Sequence, residues 1–278
     1  MGIMTGTNTT AVGIDILSAM VQAYLKENAV MIPTIMDESE QAARKGVKTI
    51  SIGRAAGFTG AEDLVDDGVT GYTAQDFTWE TDDIDLTTQC GVYVKMTKKA
   101  DFQSVIDQQP QLVERAIDSL TTKLELSIFD AIADVDVANK FGFKSGFTLS
   151  YQDITNAKKV LDKRKVPKTD RFMLINPEQE EDLLNLELFH SAEKYGNNSV
   201  LMTGEIGRIS GFTVLTSVNA AENKAAFYHR TTAAFGRQWP VSFESQRILK
   251  TSSTEYLMET LYGLVTLDGG VRAVLVEE

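Results

Sequence analysis

One stretch of this chain, "QPQLVERAIDSLTTKLELSIFDAI" from Gln109 to Ile132, limits what it can fold into more than any other. Leu112, Val113, Ala116, Ile117, Leu120, Leu124, Ile128 and Ile132 recur at helical spacing and form one apolar stripe. Glu114, Arg115, Asp118 and Lys123 fall mostly away from it, and Pro110 suits a first helical turn, where its missing N–H costs nothing. About 23 residues rising about 1.5 Å each make a rod of about 35 Å. That is long for a domain of this size.

Before the rod stands a second unusual stretch. Residues 47–53, "VKTISIG", and 82–97 have the alternation and β-branched content of strands, and residues 54–81 between them hold Gly57, Gly60, Gly68 and Gly71. This predicts a long two-stranded arm with an irregular tip. Between Ala55 and Val94 there is no lysine or arginine, but there are nine acids: Glu62, Asp63, Asp66, Asp67, Asp76, Glu80, Asp82, Asp83 and Asp85. Two strands alone are marginal in water, and this pair is too polar to build a core. Ahead of the hairpin, Ile14, Leu17, Met20, Val21 and Tyr24 predict a short amphipathic helix after ten residues rich in glycine and threonine, which suggest a mobile arm.

The rest of the chain mixes helices with antiparallel strands, which places the fold in the α+β class. Ser150 and Asp153 predict a capped helix running to Pro167, "RFMLIN" a buried strand, and Asn176-Pro177 the start of an acid-rich helix. Strands follow in "FTVLTSV", "AAFYHR", "VSFESQRI", "TEYLMETLYGLVTL" and "VRAVLVEE".

Chemistry is scarce. The motifs of phosphate-binding loops, dinucleotide sites, zinc proteases and serine hydrolases are absent. His190 and His229 are the only histidines, neither has a second at ligand spacing, and structural or surface roles are expected of both. Cys90 is the only cysteine, which excludes an intrachain disulfide and multi-cysteine metal sites. With no cationic neighbour in sequence it reads as a packing residue. The cluster Glu80, Asp82, Asp83, Asp85 lacks calcium-loop spacing, and alternation sets Asp82 on the face opposite Asp83 and Asp85, so a partner-facing edge is expected. A net charge of −12, from 39 acids against 27 bases, argues against tracking nucleic-acid phosphates. No cofactor, signal peptide or membrane span is read from the sequence.

The order of these parts resembles the major capsid proteins of tailed phages, the Hong Kong 97-type fold. In that resemblance "WETDDIDLTTQCGVYVKMTKKADFQS" looks like the descending strand of the extended loop and "QLVERAIDSLTTKLELSIFDAI" like the spine helix. "TNAKKVLDKRKVPKTDRFMLINPEQEEDLL" looks like the helix, strand, helix run of the axial domain, and "GRISGFTVLTSVNAAENKAAFYHRTTAAFG" like its return toward the peripheral domain. The resemblance implies an amino-terminal arm at 1–46, an extended loop at 47–100, a peripheral domain at 101–150 and 229–262, and an axial domain at 151–228 and 263–278. It implies a non-enzymatic coat protein that assembles with itself, as hexamers and pentamers of an icosahedral shell, in the virion after assembly in the host cytoplasm. The genome is then enclosed rather than read by sequence. Only a short arm precedes the loop, so scaffolding is expected from a separate protein, beside a portal and a possible decoration protein. The alternatives are an encapsulin-type compartment and an enzyme whose groups converge only in three dimensions.

Under that resemblance the acid strand is an assembly device. Trp79, Glu80, Asp82, Asp83 and Asp85 of the loop are expected to dock on basic residues of an adjacent subunit, with Trp79, Ile84 and Leu86 supplying affinity. Lys158, Lys159, Lys163, Arg164 and Lys165, with Lys168 and Arg171 nearby, form the candidate basic surface. Arg115 and Lys123 on the spine helix are a second, and Leu112, Ala116, Leu120 and Leu124 are its buried side.

Overall fold

A computed structural model describes residues 29–55, 72, 74–76, 78–99, 108–143, 148–185 and 207–277. The expected helix near residues 14–24, the hairpin tip with Glu62, Asp63, Asp66 and Asp67, and His190 lie outside the described residues.

The apolar stripe of the sequence forms a 26-residue helix. In chain order it follows β1 (Met36–Asp37), α1 (Ser39–Ala42), β2 (Thr49–Ala55), β3 (Trp79–Asp85) and β4 (Thr88–Thr97), and is α2 (Gln108–Ala133). Val113, Ala116, Ile117, Leu120, Leu124, Ile128 and Ile132 are all buried, while Leu112 lies outside the described side chains. Burying each Leu or Ile contributes about 1.5–3 kcal/mol relative to leaving it in water.

Two sheets receive this helix. β10 (Ala233–Ile248) and β11 (Ser253–Thr266) form a long antiparallel pair, flanked by β1 on one side and β4 on the other. The second sheet has six strands in the order β5 (Lys140–Gly142), β12 (Ala273–Glu277), β9 (Lys224–His229), β6 (Arg171–Ile175), β8 (Phe212–Thr216) and β7 (Arg208–Ile209). Successive strand residues point to opposite faces, and this sheet uses both. Leu174, Ala226, Tyr228, Ala273 and Leu275 join the core around α2 with Phe235, Phe243, Met258 and Tyr262 of the first sheet. Their neighbours Met173, Ile175, Phe227, Val274 and Val276 face a second core, under α3 (Tyr151–Lys163) and α4 (Pro177–Leu184). Both helices start at reciprocal caps: Ser150 N and Oγ donate to Asp153 Oδ2 at 3.0 and 2.6 Å, and Gln179 N donates to Asn176 Oδ1 at 2.8 Å.

The segment read as one strand from 82 to 97 is two. β3 pairs with β2, Thr49 opposite Asp85 and Ala55 opposite Trp79, whereas β4 pairs with β11, Thr88 opposite Tyr262 and Thr97 opposite Ser253. The chain turns at Leu86-Thr87, where Leu86 N donates to Lys48 O at 2.9 Å and Thr87 N to Asp85 O at 3.0 Å. The turn brings the end of β3 across β11, where Gly263 leaves room for the Asp85 carbonyl. The hairpin is also less isolated than expected. Ile50, Ile84 and Leu86 are buried in a third, small core with Ala42, Ala234 and Leu267.

Candidate assembly surfaces

The two faces of the β2–β3 hairpin have different chemistry. Its inner row is Ile50 opposite Ile84, Ile52 opposite Asp82 and Arg54 opposite Glu80; its outer row is Thr49 opposite Asp85, Ser51 opposite Asp83, Gly53 opposite Thr81 and Ala55 opposite Trp79. Every residue of the outer row is exposed, and Trp79 keeps 65% of its surface. Thr49 Oγ1 donates to Asp85 Oδ1 at 2.9 Å.

Arg54 organises the inner row. Its guanidinium contacts Glu80 Oε2 at 2.7 Å and Asp82 Oδ2 at 3.6 Å, and it pairs with Asp268 in the turn between β11 and β12. Asp82 Oδ2 also accepts from Asp268 N at 3.1 Å, so the acid strand is tied to its own subunit. Asp268 and Gly269 hold positive φ angles of 55° and 57°, which turn the chain sharply enough to present that carboxylate. Of the four clustered acids, Glu80 and Asp82 are therefore engaged by Arg54, while Asp83 and Asp85 face outward. The expectation that Ile84 and Leu86 supply affinity for a neighbour is corrected, because both are covered at home. Trp79 remains exposed.

The basic region separates in the same way. Lys158, Lys159 and Lys163 line a shallow open groove along α3 with Thr155 and Asp162. Arg171, grouped with them in the sequence, is buried: Nε donates to Pro167 O at 2.8 Å, Nη2 to Val166 O at 2.7 Å, and Nη2 pairs with Asp162 Oδ1 at 2.8 Å. That pairing offsets the one acid in the groove. Arg164 Nη1 donates to Val271 O at 3.0 Å, and Lys165 is exposed. On α2, Arg115 and Lys123 are exposed, and Ala116, Leu120 and Leu124 are buried.

Other groups named from the sequence have structural surroundings. His229 is buried; its Nδ1 accepts from Thr231 N at 3.2 Å, and burial, with Arg272 nearby, pushes its pKa down. Cys90 is half-buried on β4, and burial pushes its thiol up, against a smaller opposite effect of Lys123. On the outer face of β4 and β11, a hydrogen bond with Glu255 raises the Tyr93 phenol and lowers the Glu255 carboxyl, and Lys95 pairs with Glu255 at 3.2 Å.

Sequence reasoning missed Glu125. It is 2% exposed in the middle of α2. Oε1 accepts from Val30 N at 2.6 Å and Met31 N at 3.3 Å; Oε2 accepts from Asn219 Nδ2 at 2.5 Å and Ser217 Oγ at 3.3 Å. Helical spacing carried the signal: Glu125 follows Ile117 and Thr121 by eight and four positions and precedes Ile128 by three, on the apolar face.

These elements match solved shells. The fold resembles the structure of Mycobacterium phage Che8 with a TM-score of 0.74 at 18% identity, over 90% of this chain and 91% of that one. It resembles the mature capsid of bacteriophage PhiM1 with a TM-score of 0.70 at 11% identity, over 90% and 87%. A virus-like particle from Pyrococcus furiosus gives 0.60 at 12% identity, over 95% and 99%. Comparison with curated sequences gave no match. The architecture is thus the Hong Kong 97-type capsid fold, a fold of shell-building proteins. A sequence model described as phage capsid protein matches residues 93–259, more than half of the chain, and the chain belongs to that family. Its function is that of a major capsid protein, a structural subunit of the virion shell.

Proposed function

We propose that the outer face of the β2–β3 hairpin is the docking face of this subunit, and that it lies on the lysine groove of α3 in a neighbouring copy. The observation that carries this reading is the outer row itself: one exposed tryptophan and two outward carboxylates above small residues, on an element whose inner face is engaged with its own subunit through Ile50, Ile84, Arg54 and Asp82. An exposed tryptophan on such a face is the kind of side chain that anchors interfaces. Exposed ion pairs are worth up to about 1 kcal/mol each and are screened over about 8 Å at physiological salt. Trp79 therefore supplies affinity, and Asp83 and Asp85 govern pairing choice and rate.

The arm expected at 1–46 is narrowed to its part outside the described residues, because Met31, Ile35 and Ala42 are buried in this subunit, and that part is read as an assembly element. The same reading assigns α2, β5, β10 and most of β11 to the peripheral domain, and α3, α4, β6 to β9 and β12 to the axial domain. The copies form hexamers and pentamers assembled in the host cytoplasm, and scaffolding, portal and any decoration protein are separate chains. A net charge of −12 supports a genome that is enclosed without being gripped along its phosphates.

The test is the double substitution Asp83→Asn, Asp85→Asn, with Trp79→Ala in parallel. Circular dichroism should show a folded subunit in each case. Light scattering over a salt series should show that the double variant has lost the salt dependence of assembly, and microscopy that Trp79→Ala assembles poorly. Unchanged shells with unchanged salt dependence would leave these residues a solubility feature.

A further inference from the structure

Glu125 is buried, carries a carboxylate, and takes no part in the hairpin or the lysine groove. A carboxylate removed from water costs several kcal/mol unless donors replace the lost hydration. Here four donors do so, and they come from two distant parts of the chain. Two are main-chain amides, Val30 and Met31, where residues 1–28 join the described subunit. The other two are side chains of Ser217 and Asn219, in the turn after β8. Asn219 N in turn donates to Ser217 Oγ at 3.2 Å, and Ser217 N to Ile175 O at 3.0 Å, so the turn is itself fastened to β6.

We propose that Glu125 is the anchor of the chain at Val30 and Met31: its carboxylate fixes the main chain there and couples it to the six-stranded sheet. The Val30–Met31 side of the clamp consists of main-chain N–H groups, so it holds position whatever side chains stand there. Around it, Ala29, Met31 and Ile35 are buried and Thr34 Oγ1 meets the Tyr228 hydroxyl at 2.6 Å, so the Glu125 contact is the charged member of a set that holds residues 29–35. The importance of this fastening for assembly rests on the proposed amino-terminal arm; the anchoring itself does not.

The two substitutions that best separate these roles are Glu125→Gln and Glu125→Met, made in the full-length chain. A glutamine carbonyl can keep both main-chain amides, while its NH2 faces Ser217 and Asn219, whose hydroxyl and amide can turn to accept. Methionine offers no comparable acceptor. Hydrogen exchange of the Val30 and Met31 amides should therefore be close to wild type in Glu125→Gln. In Glu125→Met it should be faster by about tenfold or more, with Phe227 in β9 unchanged. Equal protection of the two amides in wild type and Glu125→Met would overturn the proposal, as would an equal loss at Phe227, which would make Glu125 a general support of the core. Should Glu125→Met not fold, the wild-type subunit decides: slow exchange at Val30 and Met31 supports the anchor, and exchange at the unprotected rate overturns it. Normal shells from a Glu125→Met subunit with deprotected amides would support the anchor and count against the arm's role in assembly.

Discussion

His229 shows how a single residue can lose chemical interest and gain a structural one. Its Nδ1 accepts from Thr231 N, so the imidazole is useful in its neutral form, and burial lowers its pKa in the folded state. The sign follows directly. Below about pH 6.5 the unfolded chain takes up a proton that the folded one resists. The stabilisation is present above that pH and is lost as pH falls toward the depressed folded value. His229→Asn keeps a side-chain acceptor for Thr231 N without titrating there, so urea unfolding between about pH 7.5 and 5 should show a flatter loss of stability than wild type. Identical slopes would mean that His229 titrates alike in both states. The lone-histidine reading of the sequence anticipated a structural role, and Glu125 shows the opposite case. A charged residue at an apolar position is visible on a helical wheel, but its donors, some 95 residues away, are not.

At the scale of elements, the sequence was most legible where one local rule sufficed. The α2 stripe and the Ser150/Asp153 box needed only spacing and capping chemistry. The division of β3 from β4 was illegible because alternation runs through both strands, and no local rule names the partner of each. What separates them is long-range: Ile84 and Leu86 find Ala42, Ala234 and Leu267, and the Asp85 carbonyl passes over Gly263. A Cβ at 263 would also stand 2.8 Å from Ile84 Cγ2. Gly263→Ala should therefore displace the base of the hairpin at a cost of about 1–3 kcal/mol, the usual range for overpacking, measured by denaturant unfolding. Wild-type stability in that variant would show that β3 does not sit against β11. The candidate basic surface was legible only in part, because burial of Arg171 could not be told from its neighbours.

At the scale of the molecule, the six-stranded sheet serves two cores with alternate residues of β6, β9 and β12, and α2 bridges it to the other sheet. Neither core can melt without uncovering the other. The unassembled subunit should therefore unfold in one transition, with far-ultraviolet dichroism and the fluorescence of Trp79 and Trp239 superimposing across a urea titration. Separate midpoints would show that the hairpin side opens on its own. The Arg54 cluster acts at this scale as well. Seven residues of β2 extend about 23 Å, so a tilt of about 10° at the root would carry the far end about 4 Å sideways, close to the ~4.8 Å spacing between paired strands. Under the proposed docking the hairpin is a lever, and a closed container built from identical levers would compound every angular error around its circumference. Arg54 stands near the lever's far end, and by pairing there with Glu80, Asp82 and Asp268 it holds that end to the subunit's own turn between β11 and β12 and limits its swing.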